Sequence, residues 1–139
     1  MSVYYDEINI KTKGEVDIID ITQDVQKIVN KSKIKNGIVC VFIPGSTGCI
    51  TTIEYEPGLK KDLPRILQKI APKDEIYLHH ETWNDDNGHS HVRASLIGPS
   101  LTIPIKDEKL LHGVWQQIVF IELDTTPRKR NIVVEIVGE

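Results

Sequence analysis

Two spacings of apolar residues alternate along this chain. From Ile21, apolar positions recur at Val25, Ile28 and Val29, while Gln23, Asp24, Gln26 and Lys27 fall between them. That is the 3.6-residue period of an amphipathic helix. Asp20 with Gln23 three residues on reads as its N-terminal cap, and Asn36-Gly37 as the exit from the connection that follows. A second helical spacing joins Leu59, Leu63, Ile66, Leu67 and Ile70. Pro64 falls inside it, where it would remove an interior hydrogen bond. Proline is tolerated in a first turn, so the spacing predicts a helix beginning near Asp62 or Leu63 and ending at Ala71-Pro72.

The remaining apolar residues follow strand spacing. Residues 3–10 and 15–20 flank a turn at Gly14 and predict a hairpin. Residues 37–43 are continuously apolar and β-branched, the pattern of a strand buried on both faces. Residues 49–55, 100–105, 114–123 and 131–137 add four more strands, the last with alternating polarity. Lys106-Asp107-Glu108-Lys109 and residues 125–130 read as a charged and a basic turn. Residues 76–78 and 92–97 read as the two strands of a further hairpin around a polar loop rich in Asn, Asp and Gly. Runs of strands with two α-helices, rather than strict alternation, predict an α+β protein with a mainly antiparallel β-sheet or sandwich. Its open sheet edges would need covering, and subunit contact is one way to do so.

Composition narrows the class. The chain has 139 residues, 40% hydrophobic and 27% charged, which suits one domain (residues 1–139) with its own core. A net charge of -3 argues against nonspecific nucleic-acid binding, which needs clustered positive charge. No apolar run approaches a membrane span, and the N-terminus lacks the basic-then-apolar pattern of a signal peptide. Cys40 and Cys49 fit no zinc or redox spacing. A cytoplasmic protein with reduced thiols is expected.

The chemistry concentrates in residues 77–91, which hold four of the five histidines, His79, His80, His89 and His91. On a hairpin, His89, His91, Arg93 and Ser95 share one face, while Val92, Ala94 and Leu96 face a core. His80 ends the incoming strand beside them, and His79 alternates away as a bystander. Imidazoles converging next to carboxylates suit zinc or another divalent metal, and they equally suit proton transfer near neutral pH. A solvated polar strand face is the plain alternative. The loop 44–48 carries Ser46 and Thr47 between two glycines and can turn backbone N–H groups towards an anion. Its plain alternative is a tight hairpin turn.

Four collinear segments carry a resemblance: residues 44–54 (PGSTGCITTIE), 87–98 (NGHSHVRASLIG), 111–118 (LHGVWQQI) and 127–130 (PRKR). Together they resemble the YjbQ family, also called the secondary thiamine-phosphate synthase family, over essentially the whole chain. The resemblance implies a compact homotrimer. The implied activity joins hydroxymethylpyrimidine diphosphate to a thiazole phosphate and releases pyrophosphate, as a side activity beside an unsettled primary substrate. Glu54, His80, His91, Trp115, Gln116, Arg128 and Arg130 fall on the family's recurrent polar positions. Many members have His-Thr-Ser where this chain has Gly45-Ser46-Thr47, so one ligand or acid–base group is missing and His89 is its candidate substitute.

The resulting expectations are a catalytic set of Glu54, His80, His91 and Gln116, and a phosphate-binding set of Arg128, Arg130, Ser46 and Thr47. A divalent ion, zinc before magnesium, is expected on His80, His89 and His91. The partner is a small phosphorylated metabolite. A non-catalytic trimer that binds a metal or phosphometabolite is the alternative from another class. A metal-dependent hydrolase of a phosphorylated small molecule is the third reading.

Overall fold

The computed structural model describes residues 1–139 throughout. The chain runs β1 (Ser2–Lys11), β2 (Asp17–Asp20), α1 (Thr22–Ser32), β3 (Gly37–Phe42), β4 (Gly48–Ile53), α2 (Pro57–Ile70), α3 (Leu78–Trp83), α4 (Gly88–Ile97), β5 (Ser100–Lys106), β6 (Lys109–Leu110), β7 (Gln117–Glu122) and β8 (Lys129–Gly138). The strands form a five-stranded sheet, β1-β8-β3-β5-β6, and a three-stranded sheet, β2-β7-β4. Every pairing is antiparallel. The α+β class with a mainly antiparallel sandwich therefore holds, with four helices in place of two.

Alternation along the strands builds two apolar layers. Ile8, Val39, Val41, Ile103, Ile132, Val134 and Ile136 point inward from the large sheet. They meet α1 through Val25, Ile28 and Val29, and the small sheet through Ile50, Ile118 and Phe120. The other face of the small sheet carries Cys49, Val119 and Ile121, and packs on Leu67 of α2 and Ala94 of α4. The order is thus large sheet, small sheet, outer helices. The large sheet's outer face stays open, so β3 is not buried on both sides: Ile38 and Phe42 are exposed.

Two expected hairpins become crossings between sheets. β1 pairs with β8 while β2 pairs with β7, so residues 12–16 pass from one sheet to the other. Likewise β3 lies in the large sheet and β4 in the small one, and the loop between them is a crossing rather than a tight turn. The 106–109 turn is as expected: Asp107 and Glu108 take φ of 50° and 64°, the left-handed pair a two-residue hairpin requires.

Helix boundaries move for local reasons. Asp20 Oδ1 accepts hydrogen bonds from the Thr22 N–H and hydroxyl at 2.9 and 2.6 Å, so Asp20 engages Thr22 rather than pairing with Gln23. α2 starts at Pro57, because the Glu56 carboxylate accepts from the N–H groups of Gly58 and Leu59, and Pro57 supplies the favoured first residue. Pro64 then lies in the helix interior and is tolerated there.

The largest departure is at the histidines. Residues 78–83 and 88–97 are helices, not a hairpin. The buried residues of α4 are Gly88, His89, Ser90, Arg93 and Ala94, a helical face made mostly of polar side chains. Arg93 is held inside because its Nε donates to the Ala71 carbonyl at 3.0 Å and its Nη2 to Gln68 Oε1 at 2.9 Å, at the C-terminal end of α2. Val92 and Leu96, expected in the core, are exposed. β7 begins at Gln117 rather than at residue 114, which leaves Trp115 outside the sheet.

Gly48, at the start of β4, lies against Phe120: a Cβ there would come within 2.6 Å of the ring. Replacing Gly48 by Ala is expected to destabilise the fold by about 1–3 kcal/mol, the usual effect of overfilling a packed core. The check is a urea unfolding curve; an unchanged midpoint would show that the ring has room to move.

Candidate functional site

The site is built on one end of the small sheet. β7 ends in Glu122, Leu123 and Asp124, and the crossing loop before β4 brings Thr47 to it: the Leu123 N–H donates to the Thr47 carbonyl at 3.0 Å. Glu122 is fully buried and ionisable, so it needs partners. Arg130 Nε donates to its Oε1 at 2.8 Å and Arg130 Nη2 to its Oε2 at 2.6 Å. The Thr12 hydroxyl adds a third bond at 2.8 Å and the Asp124 N–H a fourth at 3.1 Å. Arg130 also donates to Thr47 Oγ1 at 2.9 Å, and its guanidinium lies 5.7 Å from the centre of the Phe120 ring.

The phosphate-binding expectation thus divides. Arg130 is buried and its fork is engaged by Glu122; its Nη1 faces Gly45, where a Cβ would lie 3.1 Å away. Thr47 is buried and donates to Asp124 Oδ2 at 3.0 Å. Ser46 is exposed and lines a cleft of about 140 Å³ with Gly45, Gly48, Ala94 and Ser95. Arg128 is half exposed and fixed by one bond, from Nη2 to Asp124 Oδ2 at 2.6 Å. It is the guanidinium with capacity to spare for an anion. Burial pushes the Asp124 carboxyl up, but hydrogen bonds from Thr47 and the Thr125 N–H and the Arg128 charge outweigh it and hold the pKa below its ordinary value.

The histidines separate into three environments. His89 is buried; its Nε2 lies 2.6 Å from Glu15 Oε2, and Glu15 Oε1 accepts from Lys73 Nζ at 2.7 Å. Burial would raise the Glu15 pKa, but the bonds from Lys73 and His89 lower it overall. His89 therefore clamps α4 to the 12–16 crossing, and only its Nδ1 is left for other work. His80 Nδ1 lies 3.1 Å from Asp86 Oδ1, on a cavity of about 200 Å³ that it shares with His89, Lys73 and Tyr77.

His91 stacks on His79, with ring centres 4.3 Å apart. Burial and the neighbouring His79 lower its pKa, against Asp85 and Asp124, which raise it. His79 Nε2 lies 3.1 Å from Asp85 Oδ1. Neither this contact nor that of His80 is aligned as a hydrogen bond, and both ring nitrogens are buried without a partner. The expected grouping of His80, His89 and His91 on one strand face is corrected accordingly. A helix sends successive side chains about 100° apart, so His91 pairs with His79, the histidine read as a bystander. No three His, Cys, Asp or Glu side chains converge as a formed metal group.

Glu54 and Gln116 lie at the opposite end of β4 and β7. Glu54 is exposed beside a cleft of about 310 Å³ that also holds Asp20, Glu56, Val114 and Trp115. Gln116 braces its own loop: its Oε1 accepts from the Gly113 N–H at 2.8 Å. A Cβ at Gly113 would sit 2.9 Å from that oxygen, which the exposed Gln116 side chain would have to shift to accommodate. Trp115 projects from this loop, 70% exposed.

With this geometry established, comparison with known proteins gives the relationship. The family model described as UPF0047 protein YjbQ-like matches residues 6–139. The chain belongs to the YjbQ-like UPF0047 family. A UPF0047 protein of Methanothermobacter thermautotrophicus is 40% identical over 139 residues, covering 100% of this chain and 95% of that protein. A YbjQ-like protein of unknown function from Sulfolobus solfataricus has a solved structure that superposes with a TM-score of 0.93 at 38% identity, covering 99% of each chain. A YjbQ/UPF0047 protein from Clostridium acetobutylicum gives a TM-score of 0.87 at 38% identity, covering 95% of this chain and 99% of that one. In this YjbQ-like chain, Glu15, His79, Glu122 and Asp124 are site residues that the sequence reading missed. The signal for two of them was present: the carboxylates Glu122 and Asp124 follow directly on the apolar run Ile118-Val119-Phe120-Ile121.

The two arginines are expected to separate in experiment. Arg130→Ala leaves Glu122 buried and unpaired and should lower stability by about 3–5 kcal/mol, whereas Arg128→Ala, at a half-exposed pair, should change it by under about 1 kcal/mol. Urea unfolding at neutral pH measures both, and equal losses would contradict these assignments. Asp124 and Glu15 have depressed pKa values, so their stabilisation is complete above the unfolded carboxylate range and is lost as pH falls through the folded values. The urea midpoint should therefore drop below about pH 4, and less steeply in Asp124→Asn; parallel acid limbs would contradict the Asp124 contribution.

Proposed function

We propose that this protein is a metal-assisted transferase of the thiamine-phosphate synthase type, acting on small phosphorylated metabolites in the cytoplasm as a homotrimer. The observation that carries the reading is the guanidinium of Arg128, fixed on Asp124 beside the loop holding Ser46 and Thr47, with His91 close enough for Asp124 to influence its titration. An anion site next to a neutral imidazole is what displacement of pyrophosphate requires. The thiazole nitrogen attacks the methylene carbon of the pyrimidine, the carbon–oxygen bond to the diphosphate breaks, and the electron pair leaves with pyrophosphate. Arg128 neutralises the charge that develops on that leaving group.

The donor set suits a zinc ion in chemistry though not as a finished cage. His91 and His79 supply two imidazoles beside Asp85, and His79 Nε2 is a buried ring nitrogen without a hydrogen-bond partner. A lowered His91 pKa keeps that ring in the neutral form a metal needs. When bound, the ion would supply Lewis-acid stabilisation of phosphate oxygens. His80 and His89 face the separate cavity and bind the same metabolite only if it extends there.

The test combines the purified protein with hydroxymethylpyrimidine diphosphate, thiazole phosphate and zinc or magnesium. Thiamine phosphate and pyrophosphate should form together, with activity reduced at least tenfold in Arg128→Ala and His91→Ala. Phosphate release without the thiazole would favour a hydrolase, and binding without turnover a non-catalytic carrier. Zinc affinity, measured by calorimetry, should weaken in His91→Ala and His79→Ala and fall as pH drops through the imidazole range. Equal zinc affinity in wild type and both variants would remove the metal from the proposal.

A further inference from the structure

Every buried side-chain polar atom that lacks a hydrogen-bond partner in this protein lies in one stretch: His79 Nε2, His80 Nδ1, Asn87 Oδ1 and Ser90 Oγ. Native interiors leave few such atoms, and a cluster of them marks a place where an ion or ordered water belongs. His79 goes with His91 in the site described above. His80 opens instead onto the cavity of about 200 Å³ that it shares with Asp86 and His89.

Two features of that cavity have the geometry of metal ligands. The first is the pair His80 and Asp86. Asn84 ends α3 in the left-handed region, with φ of 54°, which turns the chain back so that Asp86 meets α3. Asp86 Oδ1 lies 3.1 Å from His80 Nδ1, yet the two are not aligned as a hydrogen bond. Two ligands of one ion, each at about 2.0–2.2 Å, stand about 2.8–3.6 Å apart across octahedral to tetrahedral angles. The second feature is His89, which is 1% exposed, with its Nε2 2.6 Å from Glu15 Oε2. A carboxylate only accepts, so the ring proton sits on Nε2 and a neutral ring keeps a lone pair on Nδ1. An outer carboxylate that fixes the tautomer and orientation of a ligand histidine is the usual support of a metal site.

The charge around the cavity agrees. Asp86, Glu75 and Glu81 line it, and its one cation, Lys73, is taken by Glu15 at 2.7 Å. Such a lining attracts a cation and repels phosphate.

We propose that this cavity is a second metal site, in which His80 Nδ1, Asp86 Oδ1 and His89 Nδ1 hold one first-row divalent ion. Two imidazoles and a carboxylate are a zinc-class donor set. The ion is distinct from the one on His79 and His91, and it does not depend on the transferase reading. The three donors line one cavity without closing on a common point, so binding draws α3 and the turn after it onto α4. Asp86 is free to follow, since its side chain is 91% exposed. The role of this ion is structural: it stiffens the helix that carries His79.

The test uses zinc alone, added to metal-free protein and followed by calorimetry. A variant carrying both His79→Ala and His91→Ala, which removes the other metal site, should still bind one zinc per chain. Adding His80→Ala or Asp86→Asn to it should weaken that binding at least about tenfold. Zinc bound equally with and without His80 and Asp86, or no zinc bound by the folded double variant, would overturn the proposal. Imidazole nitrogen NMR of the wild-type chain checks the ligands without any substitution. Zinc should shift the Nδ1 resonances of His80 and His89, and shifts confined to His79 and His91 would overturn the assignment. A wild-type chain without transferase activity would remove the function proposed above and leave both zinc measurements to decide this site.

Discussion

One buried carboxylate holds this fold together. Glu122 belongs to the small sheet, and the groups that neutralise it come from elsewhere: Arg130 from the large sheet, Thr12 from the first crossing, and the Asp124 N–H from the segment beyond β7. Arg130 extends the network to Thr47 on the second crossing. A buried charge with four hydrogen bonds is a strict geometric constraint, because any partner that slips leaves an ion in a low-dielectric interior. It therefore fixes how the two sheets meet at this end, and with them the loop that carries Ser46 and the turn that carries Arg128.

That constraint explains why the two arginines of one short motif have different work. In Pro127-Arg128-Lys129-Arg130, Arg130 lies within β8 and points inward, whereas Arg128 precedes the strand and stays at the rim. The inner arginine is consumed by structure, and the outer one inherits a rigid position through Asp124. Gly45, with φ of 130°, runs close to Arg130, so that a Cβ there would come within 3.1 Å of Nη1.

The second organising feature is the packing of α4 against the small sheet, with α3 resting on α4. His89, Glu15 and Lys73 tie α4 to the crossing after β1, and Arg93 ties it to the end of α2. His91, two residues and about 200° round the helix from this clamp, is half-buried against His79.

Much of this was legible in the sequence. The period of α1, the apolar runs of β3, β4 and β7, the alternation of β8 and the Asp107-Glu108 turn follow from local spacing alone, because α1 and β8 bury one apolar face, β4 and β7 bury both, and a charged pair suits an exposed turn. The four family segments identified the chain, since a motif is a property of residue order. Tertiary structure decided the rest. The helix at residues 88–97 was hidden because its inner face is His, Ser and Arg, which only the partners Glu15, Gln68 and the Ala71 carbonyl make tolerable inside. The apparent hairpins at residues 3–20 and 37–55 are crossings, because sheet membership depends on strands far along the chain, β7 and β8. Whether Arg128 or Arg130 is free, and which histidine meets His91, depends on where a buried carboxylate and a helix turn lie in space, and linear order carries neither.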